Sequence, residues 1–597
     1  MRAPVFFISI PLIVLALILA LPGPPAADES RQAAEGFVIS GARVFDGQTF
    51  LDGVQVVVRE GRIEAVGADL DPAPDLARID ASGHTLLPGL IDAHTHTFGQ
   101  AQSDALRFGV TTLLDMFTSP AMLPQAREQR DRHDQTRLAD LYSAGVLATA
   151  RSGHGTQYGI PVPTLAGPDD AEDWVAARVA EGSDFIKIVI EPGRLWVSPL
   201  PTLDEPTVRA LVDAAHAHGL LALAHVSMEA DAIMAIEAGV DGLVHLFADR
   251  PASQDFLDLA LNRGVFVVAT TVVMAGIAGQ IDVDALLIEN GAAERLSAEQ
   301  RASLRGGGWS APDGPALVAR TVDNLRTLQA AGIPLLAGSD APNPGTAHGL
   351  SLHLELEFLV EAGMSSAQAL SSATGLTAER FNLPHRGCIA PGCRADLLLV
   401  KGDPQDDIRA TRQIASVWKN GRQVRLDPAR AGAAAADTST TAEVAHDLLS
   451  AEQSARWMPA DDRFMNGQSQ ATLSVRDGQV IEVSGELAAG FAYPYAGAMW
   501  SPGQSFMSPV NLSERSRLSL RLHGDNGPYV LMLFSGPVVG QAQPLQIPLV
   551  AEADGASLSL DLATLDTLSL VHFQALGVFA SGRLRPFAFE LVEVRLE

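Results

Sequence analysis

LLPGLIDAHTHTFG, residues 86–99, is an apolar run that ends in two histidines one residue apart. A short apolar run bounded by Gly or Pro is typical of a buried strand. Alternate side chains of a strand point to the same side, so His94 and His96 are expected to share one face. The segment therefore predicts a strand that brings two imidazoles to one place.

Seven more strand-like runs follow this segment and alternate with helix-like stretches such as PTVRALVDAAHAHG. They are VTTLLDM (110–116), LYSAGVLAT (141–149), DFIKIVI (184–190), LLALAH (220–225), DGLVH (241–245), VFVVATT (265–271) and IPLLAGSD (333–340). Eight strand–helix units over about 300 residues predict a (β/α)8 TIM barrel spanning residues 86–385. A doubly wound open sheet is the alternative, but no Gly-x-Gly-x-x-Gly follows the first strand to indicate a dinucleotide site.

Polar residues stand at the ends of four later strands: Lys187, His225, His245 and Asp340. Active sites of TIM barrels form at the C-terminal ends of the strands. Each residue alone could be a hydrogen-bonded strand end, and Lys187 could be an ion-paired strut or a Schiff-base amine. Together with His94 and His96 they make six candidates on five strands, which chance explains poorly.

Imidazole and carboxylate are the ligands that suit zinc and related divalent ions. Only two cysteines occur, which excludes a Cys-rich zinc module. An ammonium cannot bind metal, but the Lys187 amine could add carbon dioxide, and the resulting carbamate could bridge two cations. Apolar neighbours favour the neutral amine. A metal pair about 3.5–4 Å apart can polarise a carbonyl and hold a bridging hydroxide, and Asp340 would accept the water proton and pass it to the leaving group.

Both ends of the chain carry β-type sequence. Short alternating strands in 37–85 and 386–426 predict a small split β-sandwich subdomain around the barrel. Residues 427–456 are interpreted as a linker. Residues 457–597 alternate apolar and polar positions between spaced turns, which predicts a separate C-terminal β-sandwich.

The net charge and the N-terminal segment indicate which partners are excluded and where the protein is located. It has 597 residues and a formal net charge of −28, which argues against nucleic-acid partners and anionic membrane surfaces. An apolar run from Val5 to Leu21, followed by small residues, predicts a signal peptide over 1–27 and a periplasmic or secreted protein. An uncleaved anchor is the alternative. Cys388 and Cys393 are either a disulfide or two buried thiols.

The motifs LLPGLIDAHTHTFG, GSDFIKIVI, LLAGSDA and GCIAPGCRADLLLV resemble the amidohydrolase superfamily, most closely its prolidase-like branch with Xaa-Pro dipeptidases and imidazolonepropionase-like proteins. The resemblance covers about residues 37–425. It implies two divalent ions, with zinc expected: one on His94, His96 and Asp340, the other on His225 and His245. Carboxylated Lys187 would bridge them.

The same resemblance makes the loop SGHGTQYG a candidate substrate contact through His154 and Tyr158, although a structural loop histidine is the alternative. Two departures affect the pocket. Val226-Ser227 follows His225 where dipeptidase relatives often have an aromatic residue, and an insertion from Gly276 to Asp313 follows the seventh strand. The chemistry is therefore better specified than the substrate.

Residues 457–597 resemble the complex I intermediate-associated protein family, which implies a jelly-roll, galactose-binding-like sandwich. Such a domain would bind glycans, or it would only pack on the barrel as a stabilising cap.

The sequence thus predicts an exported metal-dependent amidohydrolase that cleaves an amide or peptide-like C–N bond in a small molecule or short peptide, such as an Xaa-Pro dipeptide or a cyclic amide. Asp340 and Lys187 are its predicted catalytic residues, and homo-oligomerisation is open. The alternatives are a lactone or phosphotriester hydrolase on the same site, and a non-catalytic glycan-binding protein.

Overall fold

The computed structural model describes residues 36–156, 162–194, 200–288, 292–305, 314–426, 446–462, 468–477, 479–488, 495–503, 510–535, 545–551, 555–562, 565, 570, 573–581 and 584–597. The predicted signal peptide, Tyr158 and residues 427–445 of the predicted linker lie outside these ranges. Among the described residues, no helix has both the length and the apolar character needed to cross a membrane.

Eight parallel strands form the barrel, and each overlaps one of the eight runs expected from the sequence. They are β8 (Leu90–Thr95), β9 (Val110–Asp115), β10 (Asp140–Ser143), β11 (Ile186–Ile190), β12 (Ala222–Val226), β13 (Gly242–Leu243), β14 (Phe266–Ala269) and β15 (Leu335–Ala337). Of these, β10 begins and β12 ends one residue outside its run. The strands form two sheets, of order β10-β9-β8 and β11-β12-β13-β14-β15. Parallel bridges from Thr95 to Ala341 and from Ala148 to Ile188 join these sheets into a closed ring.

The strands of this ring are buried on both sides, as expected for a parallel sheet covered by helices. Every residue of β8, β9 and β11 is buried. Along β11, Ile186 and Ile188 belong to the large core cluster, whereas Phe185 belongs to a second cluster with Leu223 and Val244. Lys187 alternates with the isoleucines and therefore faces the Phe185 side, the barrel interior.

Helices connect the strands and cover the barrel. They are α1 (Ala101–Arg107), α2 (Leu123–Asp131), α3 (Ala171–Glu181), α4 (Glu205–Ala217), α5 (Glu229–Ala238), α6 (Gln254–Arg263), α7 (Thr271–Ile277), α8 (Val283–Ile288), α9 (Ala292–Arg295), α10 (Ala298–Arg305), α11 (Gly314–Ala331), α12 (Leu350–Glu361), α13 (Ser366–Ser372) and α14 (Gly375–Arg380). Short 3-10 turns span Pro120–Met122, Pro168–Asp170 and Ile408–Arg412. The insertion after the seventh strand therefore contains the short helices α8–α10.

Two small sheets are formed by the residues before and after the barrel; the first uses only N-terminal strands, and the second combines strands from both flanks. Their strands are β1 (Phe37–Ser40), β2 (Arg43–Phe45), β3 (Phe50–Leu51), β4 (Gln55–Arg59), β5 (Arg62–Gly67), β6 (Ala77–Asp80), β7 (His84–Pro88), β16 (Leu397–Lys401), β17 (Ile414–Lys419) and β18 (Arg422–Gln423). The orders are β5-β4-β1-β6 and β18-β17-β16-β7-β2-β3, so the second sheet pairs β16 with β7 across more than 300 positions. Cys388 and Cys393 form a disulfide, which resolves the alternative left open by the sequence.

The C-terminal part is antiparallel β structure. It begins with α15 (Ala451–Ser454) and contains β19 (Trp457–Asp461), β20 (Gln470–Arg476), β21 (Val480–Glu486), β22 (Tyr495–Trp500), β23 (Arg517–Gly524), β24 (Pro528–Ser535), β25 (Leu545–Val550), β26 (Ala556–Asp561), β27 (Phe573–Ser581) and β28 (Pro586–Leu596). Two five-stranded sheets, β19-β22-β27-β24-β25 and β20-β21-β28-β23-β26, share one apolar cluster. The jelly-roll assignment stays a prediction.

A buried ion network ties barrel strand β10 to the small sheet. Lys419 Nζ lies 2.8 Å from Asp396 Oδ2 and 3.0 Å from Asp140 Oδ2, and all three side chains are almost wholly buried. Arg394 and Arg386 also contact Asp140. Burial opposes ionisation of Asp396, but the charges of Lys419 and Arg394 outweigh it and hold its pKa below the ordinary value.

Asp396→Asn is expected to lower the free energy of unfolding by about 3–5 kcal/mol, because it leaves Lys419 buried with fewer counter-charges. Chemical denaturation of both proteins at pH 7 measures this loss. Since the pKa of Asp396 is lower in the folded chain, its contribution is present above about pH 4 and fades as the pH falls further. Asp134→Asn breaks the exposed Arg132 pair, and because water screens that pair, its denaturation midpoint should stay close to that of wild type. Equal losses would contradict the special role of the buried network.

Candidate metal centre

His94, His96 and Asp340 form a cluster at the C-terminal ends of β8 and β15. Asp340 Oδ1 lies 2.9 Å from His96 Nε2 and 3.3 Å from His94 Nε2. One potential ligand atom from each residue lies within 4.8 Å of the other two. Donor atoms of this kind, about 2.0–2.2 Å from a zinc ion, are spaced about 3 Å apart around it. The cluster therefore has the donors and the dimensions of a cation site.

The position of the proton on His94 also favours a cation in this cluster. His94 Nδ1 donates to the Val244 carbonyl at 2.7 Å, and burial holds the pKa of His94 well below its usual value. The neutral ring therefore has an unprotonated Nε2. This lone pair faces Asp340 Oδ1, and both atoms are buried without a hydrogen-bond partner among the described residues. Two facing lone pairs repel each other, and a positive ion between them removes the repulsion.

A row of imidazole rings continues from this cluster across the mouth of the barrel. The ring centroids of His94 and His245 are 4.5 Å apart, and those of His245 and His225 are also 4.5 Å apart. His245 Nδ1 lies 2.8 Å from Thr270 Oγ1. His154 extends the row, with its centroid 5.0 Å from that of His225. The structure thus brings together the four histidines named as metal-ligand candidates and the loop histidine named as a substrate contact.

Lys187 lies on β11, the neighbour of the strand that carries His225, and is only 2% exposed. Its charge acts on His94, His225 and His245. Burial lowers the pKa of Lys187 to about 7, although the charges of Asp340 and Asp115 oppose the shift. A neutral amine is therefore readily available at this position, as the sequence suggested from the apolar neighbours.

The backbone around Asp340 is shaped by close contacts. Asp340 has φ of 52°, the left-handed region that a non-glycine residue seldom adopts. Its N–H donates to the His94 carbonyl at 2.8 Å. At Gly338, an added Cβ would come within 2.8 Å of His94 Cβ and 2.6 Å of Val268 Cγ1. A glycine is thus required for β15 to approach β8 and for Asp340 to face the histidines.

Sequence reasoning missed two buried carboxylates beside the candidate ligands. Asp92 accepts from Ser339 Oγ at 2.6 Å and from the His94 N–H at 3.2 Å, and burial raises its pKa to about 7. Glu191 Oε2 lies 3.4 Å from His225 Nε2. Glu191 directly follows β11, so the rule that singled out the other strand ends also applies to it. Asp92 gave no such signal, because it lies within the strand.

Two further histidines are structural in their contacts. His348 Nε2 lies 3.1 Å from the His96 carbonyl, and His353 Nε2 lies 2.9 Å from the Phe108 carbonyl. His353 is on α12, where the sequence placed it. Both side chains are buried.

The insertion after the seventh strand reaches the loop that carries His348. Gln300 Nε2 donates to the His348 carbonyl at 2.7 Å, and Ser303 Oγ donates to the Pro342 carbonyl at 3.1 Å. This contact confirms that the inserted segment touches a loop of the site.

Comparison with known proteins places the chain in a family. Residues 85–424, more than half of the chain, match the model described as the amidohydrolase family. The chain belongs to this family. Residues 446–547 match the model of complex I intermediate-associated protein 30. As an amidohydrolase the chain is a hydrolase, and a TIM barrel is the fold that its structural neighbours share.

Relatives of this amidohydrolase differ in what they act on. An ochratoxinase from Aspergillus niger is 24% identical over 429 residues, covering 62% of this chain and 82% of the enzyme. An imidazolonepropionase from a Geobacillus species is 24% identical over 395 residues, covering 58% of this chain and 82% of the enzyme. A crystal structure of a Xaa-Pro dipeptidase with methionine bound superposes with a TM-score of 0.55 at 23% identity, covering 66% of this chain and all of the dipeptidase.

Proposed function

We propose that this amidohydrolase hydrolyses an amide or peptide-like C–N bond of a small molecule or short peptide, with two divalent ions at the row of histidines. The observation that carries the proposal is the facing pair of lone pairs on His94 Nε2 and Asp340 Oδ1, 3.3 Å apart. His94, His96 and Asp340 would hold one ion, which we propose to be zinc, and His225 and His245 the other. The relatives include an ochratoxinase and an imidazolonepropionase, which supports C–N bond hydrolysis.

Lys187 would serve as the bridge in carboxylated form. Its neutral amine would attack the carbon of carbon dioxide: one N–C bond forms, one C=O π bond breaks as its electron pair moves to oxygen, and one N–H proton leaves to solvent, so the product carries one negative charge. An ammonium at this place would repel any neighbouring cation, whereas a carbamate attracts two. Burial among apolar side chains of β11 supports the neutral amine that this reaction needs.

Asp340 is proposed to move the proton. Bound divalent ions would polarise the scissile carbonyl and lower the pKa of water. The Asp340 carboxylate, held by its backbone contact with His94, is placed to take the proton of the attacking water and deliver it to the leaving nitrogen. His154, at the end of the row, is proposed to contact the substrate. Tyr158 is proposed for the same role from the sequence alone.

A substrate panel tests the function. Metal analysis of the purified protein should give about two divalent ions per chain, and the loaded protein should hydrolyse at least one of a set of dipeptides, N-acyl amino acids and cyclic amides. Activity confined to lactones or phosphotriesters would replace the amide assignment. A reproducible metal content near zero after supplementation would contradict the binuclear site.

Export and the role of the C-terminal sheets belong to the same proposal. We propose cleavage after Ala27 and a periplasmic or secreted location, because small residues follow an apolar run. N-terminal sequencing of protein from the periplasm should begin at Asp28.

The C-terminal sheets are proposed to contact glycans. A glycan array probed with the full chain, and with a chain that lacks residues 446–597 as the comparison, would test this. Homo-oligomerisation is checked by sedimentation.

A further inference from the structure

Glu191 is held in one orientation at the end of β11. Its side chain is 1% exposed, and its Oε1 accepts the Gly193 N–H at 2.7 Å. The other oxygen, Oε2, is buried without a hydrogen-bond partner among the described residues. The imidazole of His225 lies close to this oxygen, with Nε2 at 3.4 Å, and the Ser227 side chain also interacts with the carboxylate. Because the hydrogen bond to Gly193 fixes Oε1, Oε2 is held facing His225.

This contact decides which nitrogen of His225 is protonated. A carboxylate only accepts, so Nε2 must carry the hydrogen if the pair is to attract. A neutral imidazole has one N–H, and Nδ1 is then left with the lone pair. A metal ion binds only a ring nitrogen that has a lone pair, so the neutral ring with one N–H is the form that ligates. Glu191 thereby offers Nδ1 of His225 to a cation.

At the Nδ1 atoms of His94 and His245, the partners are uncharged. His94 Nδ1 faces a backbone carbonyl, and His245 Nδ1 faces the Thr270 hydroxyl. A carboxylate partner differs from these because its full charge raises the basicity of the ligating nitrogen. A negative charge near His225 also attracts a cation bound there.

We propose that Glu191 is a positioning residue for the second metal ion, acting through His225 and not by contact with substrate. The inference rests on the proposed binuclear site. It assigns a selective role: loss of Glu191 weakens the ion at His225 and His245 and spares the ion at His94, His96 and Asp340.

The test is a titration of metal-free protein with Zn2+ alone, followed by calorimetry. Wild type should take up two ions. Glu191→Gln should keep the first and bind the second about 10–100-fold more weakly, while Glu191→Asp should recover part of the loss. Asp231→Asn is the matched control: it removes a neighbouring charge that interacts with Glu191 but leaves the His225 contact in place, and it should bind both ions as wild type does.

Three results would overturn the inference. Glu191→Gln could bind its second ion as tightly as wild type does, Asp231→Asn could lose as much affinity for the second ion as Glu191→Gln, or wild type could bind a single ion. The last would also overturn the binuclear site. A second ion lost only in Glu191→Gln, in a protein that cleaves nothing in the substrate panel, would refute the proposed function and leave the role of Glu191 standing.

A measurement on wild type keeps the inference testable if Glu191→Gln does not fold. In zinc-loaded protein labelled with 15N-histidine, His225 should show a metal-bound Nδ1 and a retained, strongly downfield Nε2–H, as a carboxylate-bonded proton does. A metal-bound Nε2 at His225 would contradict the role of Glu191.

Discussion

Asp340→Asn is expected to lower kcat for the amide substrate by about 10²–10⁴-fold, the usual contribution of a positioned general base. An amide has nearly the same shape as a carboxylate but cannot accept the water proton. The exchange also removes the negative charge that faces His94 and His96 at 3.3 and 2.9 Å. KM should change less than kcat, because the lost interaction is made mainly in the transition state.

Steady-state kinetics of the zinc-loaded variant measure this effect, and metal analysis of the same sample separates proton transfer from metal loss. Asp231→Asn serves again as the control for a lost acidic charge on α5, and its kcat should stay near that of wild type. An Asp340→Asn protein with full metal content and an unchanged kcat would remove Asp340 from proton transfer. A raised KM alone would assign it to binding.

Much of the barrel could be predicted from the sequence, because parallel strands that are buried on both faces consist of nearly continuous apolar residues. All eight runs contain a strand. Five of the six residues named from the sequence lie together: His94, His96, His225, His245 and Asp340. Lys187 is the second residue of β11 and not its end. The runs do not set strand length: DGLVH yields only Gly242–Leu243 as strand. The ends of a run depend on neighbours distant in the sequence, which local pattern does not record.

Residues that act through tertiary contacts were harder to find. Thr270 belongs to the site only because it meets His245, and Asp92 only because β15 brings Ser339 to it. Neither has a local signature. Glu191 is different, since it is a charged residue at a strand end, and treating every such residue as a candidate would have included it. The Cys388–Cys393 pairing likewise depends on the turn geometry that the fold supplies.

Lys187→Ala is expected to lower kcat by about 10³-fold, because the proposed bridge between the two ions contributes several kcal/mol of charge stabilisation. The protein should remain folded, since removing an amine that is 2% exposed relieves a desolvation cost. Metal analysis should show fewer than two ions per chain. Thermal unfolding and kinetics on the same preparation check both statements.

Chemical rescue then separates a carbamate from an ordinary lysine. The space vacated in Lys187→Ala faces the barrel interior, where the charge of Lys187 acts on His94, His225 and His245, and a short carboxylic acid such as propionate, or bicarbonate with it, would place two oxygens there. Activity and metal content should partly return together as propionate is added. Lys187→Met fills the same space with an apolar chain, so the same additions should restore nothing. If a carboxylated lysine bridges the ions, an added acid can replace it only where the side chain has left space, which is the case in Lys187→Ala and not in Lys187→Met. Equal recovery in both variants, or unchanged activity in Lys187→Ala, would therefore show that no carboxylated lysine bridges the ions.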